Sequence, residues 1–151
     1  MAATVKEGVL QAFEIIKEEE MAAPIEIVFE TILEQMGPLN STPEKPMPMV
    51  LEAWPGGRWY RDLGHDNGHL WGHVQAIKRP TLLEFYGPLF MSYPVSSNVQ
   101  YRLSEVDGGT LIKFHHLAFG LITDEHREGV VKGWAHMNDG VRKRAEAQSS
   151  R

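Results

Sequence analysis

The chain of 151 residues contains no cysteine. That removes disulfides, thiolate nucleophiles and cysteine-ligated zinc or iron–sulfur centres together. Positive charge is not in excess either. The 15 basic and 20 acidic side chains leave a net charge of −5, whereas a binder of nucleic-acid backbone usually carries a basic face. No apolar run approaches the ~18–20 residues that a membrane-spanning helix needs. Residues 1–8 lack the basic and apolar regions of a secretory signal. Internal repeats, low-complexity tracts, a Gly-rich phosphate loop and a Gly-x-Ser-x-Gly elbow are missing as well. These absences predict one domain over residues 1–151 (core about 9–147), cytoplasmic, with no nucleic acid, membrane or cofactor as partner. With 42% hydrophobic residues, a chain of this size buries roughly 68–70% of its unfolded surface and needs no staples.

What is present reads as alternating punctuation and periodicity. Residues 10–20 carry Phe13, Ile15 and Ile16 before a polar stretch and predict a first strand. Pro24 suits a first helical turn and Gly37-Pro38 stops the helix; between them Ile25, Val28, Phe29, Ile32, Leu33 and Met36 fall on one helical face. The proline-rich segment 39–48 predicts a surface loop, one that could cross an opening. Six short runs follow: MVLEAW, RWYRDLG, HLWGHVQAI, TLLEFYG, SNVQYRLSEV and TLIKFHHLAF. They are separated by Pro55-Gly56-Gly57, Asp66-Asn67-Gly68, Arg79-Pro80, a longer connection over 87–96 and Asp107-Gly108-Gly109, which predicts an antiparallel meander. A long helix over about 123–147 closes the chain, with Thr123 as N-cap and Arg142, Lys143 and Arg144 toward its negative end. Its inward stripe is Val130, Gly133, Trp134, Met137, Gly140 and Val141. The fold class is therefore α+β: a bent antiparallel sheet of about seven strands wrapped on the last helix.

Two features point to a hollow between sheet and helix. Gly133 and Gly140 lie on the apolar stripe although each costs ~1 kcal/mol relative to Ala in a helix interior. Either the sheet backbone approaches closely there or space is left open. In addition, Trp59, Trp71, Tyr101 and Trp134 carry polar tips that need partners when buried. Strand alternation turns Ile112, Phe114, His116 and Ala118 away from solvent-facing Lys113, and likewise Val99, Tyr101, Leu103, Leu83 and Phe85 inward. An inward His beside Tyr and Trp suits an apolar pocket with a few directing polar groups. It equally suits a core histidine bonded to Tyr101 or to backbone.

Several segments in order resemble one family. They are Ala22-Ala23-Pro24 with Val28-Phe29, Pro55-Gly56-Gly57 with Arg58-Trp59-Tyr60, and Leu70-Trp71-Gly72-His73-Val74 leading to Arg79-Pro80. Gly109-Thr110-Leu111-Ile112 running to His116, and Gly133-Trp134 in the last helix, complete the set. Together, over about residues 9–147, they resemble the START-like SRPBCC superfamily, in the branch of the activator of the heat-shock-protein ATPase. The resemblance implies a helix-grip fold clasping an elongated apolar cavity. Members bind lipids, hormones or polyketides; some are cyclases or hydrolases, and some assist a chaperone. The branch shares no catalytic constellation, so the resemblance supplies no catalytic residue. It carries over Trp59, His116 and Trp134 as cavity positions.

The expected activity is therefore binding of a small apolar or aromatic molecule. The expected cavity residues are Trp59, Arg61, Trp71, Phe85, Tyr101, Phe114, His116, Trp134 and Met137. Arg61 is included because alternation places it on the face of Trp59, at the mouth. Alternatives are a cavity enzyme of cyclase, hydratase or hydrolase type, with His116 as acid or base, and a chaperone-assisting protein. The balance leans away from an enzyme. His65, His69 and His73 recur at helical metal-site spacing, but a turn at Asp66-Asn67-Gly68 voids that spacing and no metal is expected. Outward Tyr60 or Tyr86 would support a homodimer.

Overall fold

The computed structural model describes residues 2–90 and 93–150. Strand β1 (Gln11–Met21) leads into helix α1 (Ile25–Met36). There follow β2 (Val50–Leu51), β3 (Arg58–Gly64), β4 (Asn67–Lys78), β5 (Leu82–Gly87), β6 (Val95–Val106) and β7 (Gly109–Gly120), and α2 (Asp124–Ser149) ends the chain. The seven strands form one antiparallel sheet in the order β1-β7-β6-β5-β4-β3-β2. This is the helix-grip arrangement, with the meander running away from β7 and β1 returning to pair beside it. No helix among the described residues is long and apolar enough to cross a membrane.

Local chemistry explains the boundaries. Pro24 opens α1 and the Gly37 N–H turns back to Leu33 and Glu34 carbonyls at its end. At the start of α2 the Thr123 hydroxyl accepts from the His126 N–H (3.0 Å). The motif segments that are far apart in sequence meet where β1 joins α1. There the Thr110 hydroxyl donates to the Ala23 carbonyl (2.8 Å), and a Cβ on Gly109 would lie 2.1 Å from the Met21 oxygen. Only glycine lets that backbone approach so closely.

Four expectations need correction. The β3–β4 turn is His65-Asp66, not Asp66-Asn67-Gly68: Gly64 pairs with Asn67, and both turn residues have positive φ (52° and 62°), as a two-residue primed turn requires. The run MVLEAW contributes strand only at Val50–Leu51. Helix α2 runs on to Ser149, so Arg142, Lys143 and Arg144 do not lie in its last turn. Two of them tie α2 to its surroundings instead, Arg142 to Glu19 (2.7 Å) and to the Glu20 carbonyl (2.8 Å) and Arg144 to Gln35 (2.9 Å), while Lys143 pairs with Asp139 one turn back on the same helix (2.9 Å). Burial alone would raise the Glu19 carboxyl, but Lys17 and Arg142 together hold it below the usual carboxylate range. Finally, Gly140 does not face the sheet. Its bare Cα receives the Gln35 side chain of α1, whose atoms would lie 2.9–3.0 Å from a Cβ there.

Candidate functional site

The concave face of the sheet, as alternation predicts, turns Leu83, Phe85, Val99, Tyr101, Leu103, Ile112, Phe114, His116 and Ala118 inward, all buried. Their rings do not enclose one long void. Phe114 packs on Trp134 at 4.9 Å between centroids, Tyr101 on Phe114 at 5.0 Å, and Trp59 on Trp71 and Phe85 at 5.0 and 5.1 Å. These are the tilted and edge-on geometries that aromatic quadrupoles favour. The deep interior between β5–β7 and α2 is thus an aromatic core.

Within that core the polar tips find partners from distant elements. The Trp59 indole donates to the Met36 carbonyl (2.7 Å) and so closes the C-terminal end of α1. The Tyr101 hydroxyl donates to Asn138 Oδ1 (2.7 Å), and burial pushes its phenol well above the ordinary range. The Trp134 indole donates to His116 Nδ1 (2.8 Å), while His116 Nε2 lies 3.0 Å from the Ser97 hydroxyl. An indole N–H can only donate, so Nδ1 must be the acceptor and the neutral ring carries its proton on Nε2, donating to Ser97. His116 therefore has no free lone pair with which to take a proton from Ser97. Its partners are Trp134 and Ser97 rather than Tyr101 or backbone. Burial, with His126 and His115 nearby, pushes its pKa down to about 4.

An open space borders this core on one side, where four segments meet. A pocket of about 260 Å³ is walled by α2 through Gly129, Lys132, Gly133, His136 and Met137. Opposite stand Trp71 of β4 and Phe90 of the β5–β6 connection, and residues 40–43 and Met47 of the proline-rich loop cover it. The loop is held in shape by Thr42, whose hydroxyl accepts from the Glu44 and Lys45 N–H groups (3.3 and 3.1 Å). It is tethered to the helix by Ser41 Oγ and His136 Nε2, 3.1 Å apart. Gly133 is the reason α2 leaves room: a Cβ there would sit 3.6 Å from the Phe90 ring, and at Gly129 it would meet nothing within 4 Å.

Of the expected cavity residues, Trp71 and Met137 line this pocket. Trp59, Phe85, Tyr101, Phe114, His116 and Trp134 pack in the aromatic core behind it. Arg61 reaches neither place, because its guanidinium donates to the Pro48 carbonyl. The cause is a β-bulge. Trp59 pairs with Gly72 and Tyr60 with Leu70, so Trp71 is an extra residue on β4. Beyond it residues 62–70 are all exposed, and the hairpin leaves the body of the protein. His65 sits in the turn, His69 opposite Arg61, and His73 stacks on Tyr86 (5.8 Å), so the three do not converge. Sequence reasoning missed Asn40, Ser41, Phe90, Lys132 and His136. The loop prolines were the one signal pointing toward them.

Asn40 and Trp71 are only 4% and 5% exposed, and Asn40 Nδ2 and Trp71 Nε1 are buried with no acceptor among the described residues. A donor left so costs about 1–3 kcal/mol. The third such atom among the described residues, His126 Nδ1, lies at the start of α2, where its ring stacks on Tyr93 at 3.9 Å.

The family described as Activator of Hsp90 ATPase homolog 1-like protein matches residues 22–146. The chain belongs to this family. No curated protein matches it. Among solved structures, an uncharacterised protein from Rhizobium leguminosarum superposes with TM-score 0.75 at 16% identity, covering 94% of this chain and 99% of that one. Ara h 8.0201 superposes at 0.63 with 15% identity over 88% and 97% of the two chains. The di-domain ARO/CYC StfQ from the steffimycin biosynthetic pathway does so at 0.63 with 7% identity, over 93% of this chain and 52% of that one. At these identities the likeness to the solved structures is one of fold.

Proposed function

We propose that this member of the family binds a small apolar or aromatic molecule in the pocket between α2, the proline-rich loop and Trp71. The observation that carries the reading is the pocket wall itself. Met47, Trp71, Phe90 and Met137 offer an apolar surface, and Gly129 and Gly133 keep the helix from filling it. Two glycines in a helix cost about 2 kcal/mol relative to alanine, and occupancy of the space they leave is a return for that cost. The test is native mass spectrometry and thermal shift with naphthalene-sized aromatics and short lipids. Saturable one-to-one binding supports the reading; absence of binding to every probe refutes it.

A second reading turns the same pocket into a reaction chamber, as the biosynthetic ARO/CYC protein StfQ suggests by analogy of fold. The Ser41–His136 pair at its rim favours it, because a histidine 3.1 Å from a hydroxyl can move a proton. Under this reading His136→Gln abolishes turnover of a bound polyketide-like substrate and leaves binding intact. Under the binding reading no turnover is seen in either protein.

A further inference from the structure

Four of the chain's tryptophan and tyrosine side chains are buried among the described residues, and the fold treats their polar tips unequally. Trp59, Tyr101 and Trp134 each donate to an acceptor within the protein, at 2.7, 2.7 and 2.8 Å. Trp71 finds none among the described residues, and it is the one of the four that lines the pocket. The neighbouring wall residue Asn40 repeats the pattern, with its amide Nδ2 buried and without an acceptor. Two orphaned donors in one wall are unexpected in a satisfied core, where nearly every buried polar atom is paired.

The rest of the wall has the same sign. Lys132 brings a cation, the Ser41–His136 pair keeps one proton free to donate, and among the described residues no Asp or Glu lines the pocket. Against these stand the faces and edges of Trp71 and Phe90, whose rings lie 5.2 Å apart. At about 260 Å³ the space is below the ~300–1,000 Å³ of pockets for drug-sized ligands, which fits one or two fused rings.

We propose that the ligand is a small aromatic molecule bearing a carbonyl or carboxylate oxygen, and that Asn40 and Trp71 receive that oxygen while the ring packs against Phe90 and Met137. The assignment rests on the binding reading above and adds the chemistry of the ligand to it. Recognition follows from complementarity: an acceptor relieves two unpaired donors, and a hydrocarbon of the same shape leaves them unpaired. Specificity therefore comes from the polar wall and bulk affinity from the rings.

The experiment is calorimetric titration of the full chain with 2-acetylnaphthalene, 2-naphthoate and 2-ethylnaphthalene, repeated with Trp71→Phe and Asn40→Ala. The expected result is that the two oxygen-bearing probes bind about ten-fold tighter than the ethyl compound, a difference of about 1.4 kcal/mol. Each substitution narrows that ratio. A 2-naphthoate affinity above that of 2-acetylnaphthalene identifies the carboxylate, drawn by Lys132, as the preferred form; equal affinities identify the neutral carbonyl. Equal binding of all three probes overturns this proposal and leaves the binding reading standing. Failure of all three to bind overturns this proposal, and the binding reading falls with it when the short lipids fail as well. Should Trp71→Phe not fold, Asn40→Ala alone still decides, since an unchanged ratio in it refutes the proposal.

Discussion

Acid should weaken this fold through His116, and by a calculable amount. The imidazole is 1% exposed and holds the Trp134 indole N–H at 2.8 Å on Nδ1. Protonation would set an N–H against an N–H in a place that water cannot reach. Burial accordingly lowers the pKa from 6.5 in the ordinary state to about 4 in the fold. Because the folded pKa is depressed, the unfolded chain takes up the proton first. The contribution of the neutral ring is complete above pH 6.5 and is lost as pH falls from there toward about 4. A gap of that size corresponds to roughly 3 kcal/mol, at 1.36 kcal/mol per unit. The assay is urea unfolding of the wild-type chain and of His116→Gln at pH 7.5 and pH 4.5. Glutamine keeps an acceptor for the indole and does not titrate. The wild-type chain should lose about 2–3 kcal/mol more than the variant between the two pH values. Identical losses would refute both the tautomer assignment and the linkage.

Gly133→Leu should extend toward Phe90 and abolish binding of aromatic probes in calorimetry. Its melting temperature should not fall, because the helix gains up to ~1 kcal/mol of propensity. Trp59→Phe should cost about 1–3 kcal/mol in urea unfolding by leaving the Met36 carbonyl buried without a donor, with probe affinity unchanged. Asp66→Gly should stabilise the β3–β4 hairpin by up to ~1 kcal/mol, since Asp66 sits at φ 62°, where glycine is unstrained; hydrogen exchange in β3 and β4 would slow accordingly.

Much of the architecture was legible because its signals are local. The stripe from Ile25 to Met36 between Pro24 and Gly37 fixed α1, and the alternation of Ile112, Phe114 and His116 against Lys113 oriented β7. The inventory of polar tips was legible for the same reason, since it follows from residue type and burial alone. Arg61 was misjudged because alternation assumes an unbroken ladder, and the extra residue Trp71 bends the hairpin past it. Gly140 was read as a site of sheet approach or of open space because a helical stripe does not say which element faces it; here it is Gln35 of α1.

The amino-acid sequence by itself determined the order and type of the elements, the identity of the inward faces and the need for partners at Trp59, Trp71, Tyr101 and Trp134. The tertiary structure alone decided which of those needs are met, and where space remains. A hydrogen-bond partner such as the Met36 carbonyl, Asn138 or His116 comes from an element remote in the chain. The pocket likewise lies where the 40–47 loop, β4, Phe90 and α2 converge. Periodicity is a property of neighbours along the chain, whereas satisfaction of a buried donor is a property of neighbours in space.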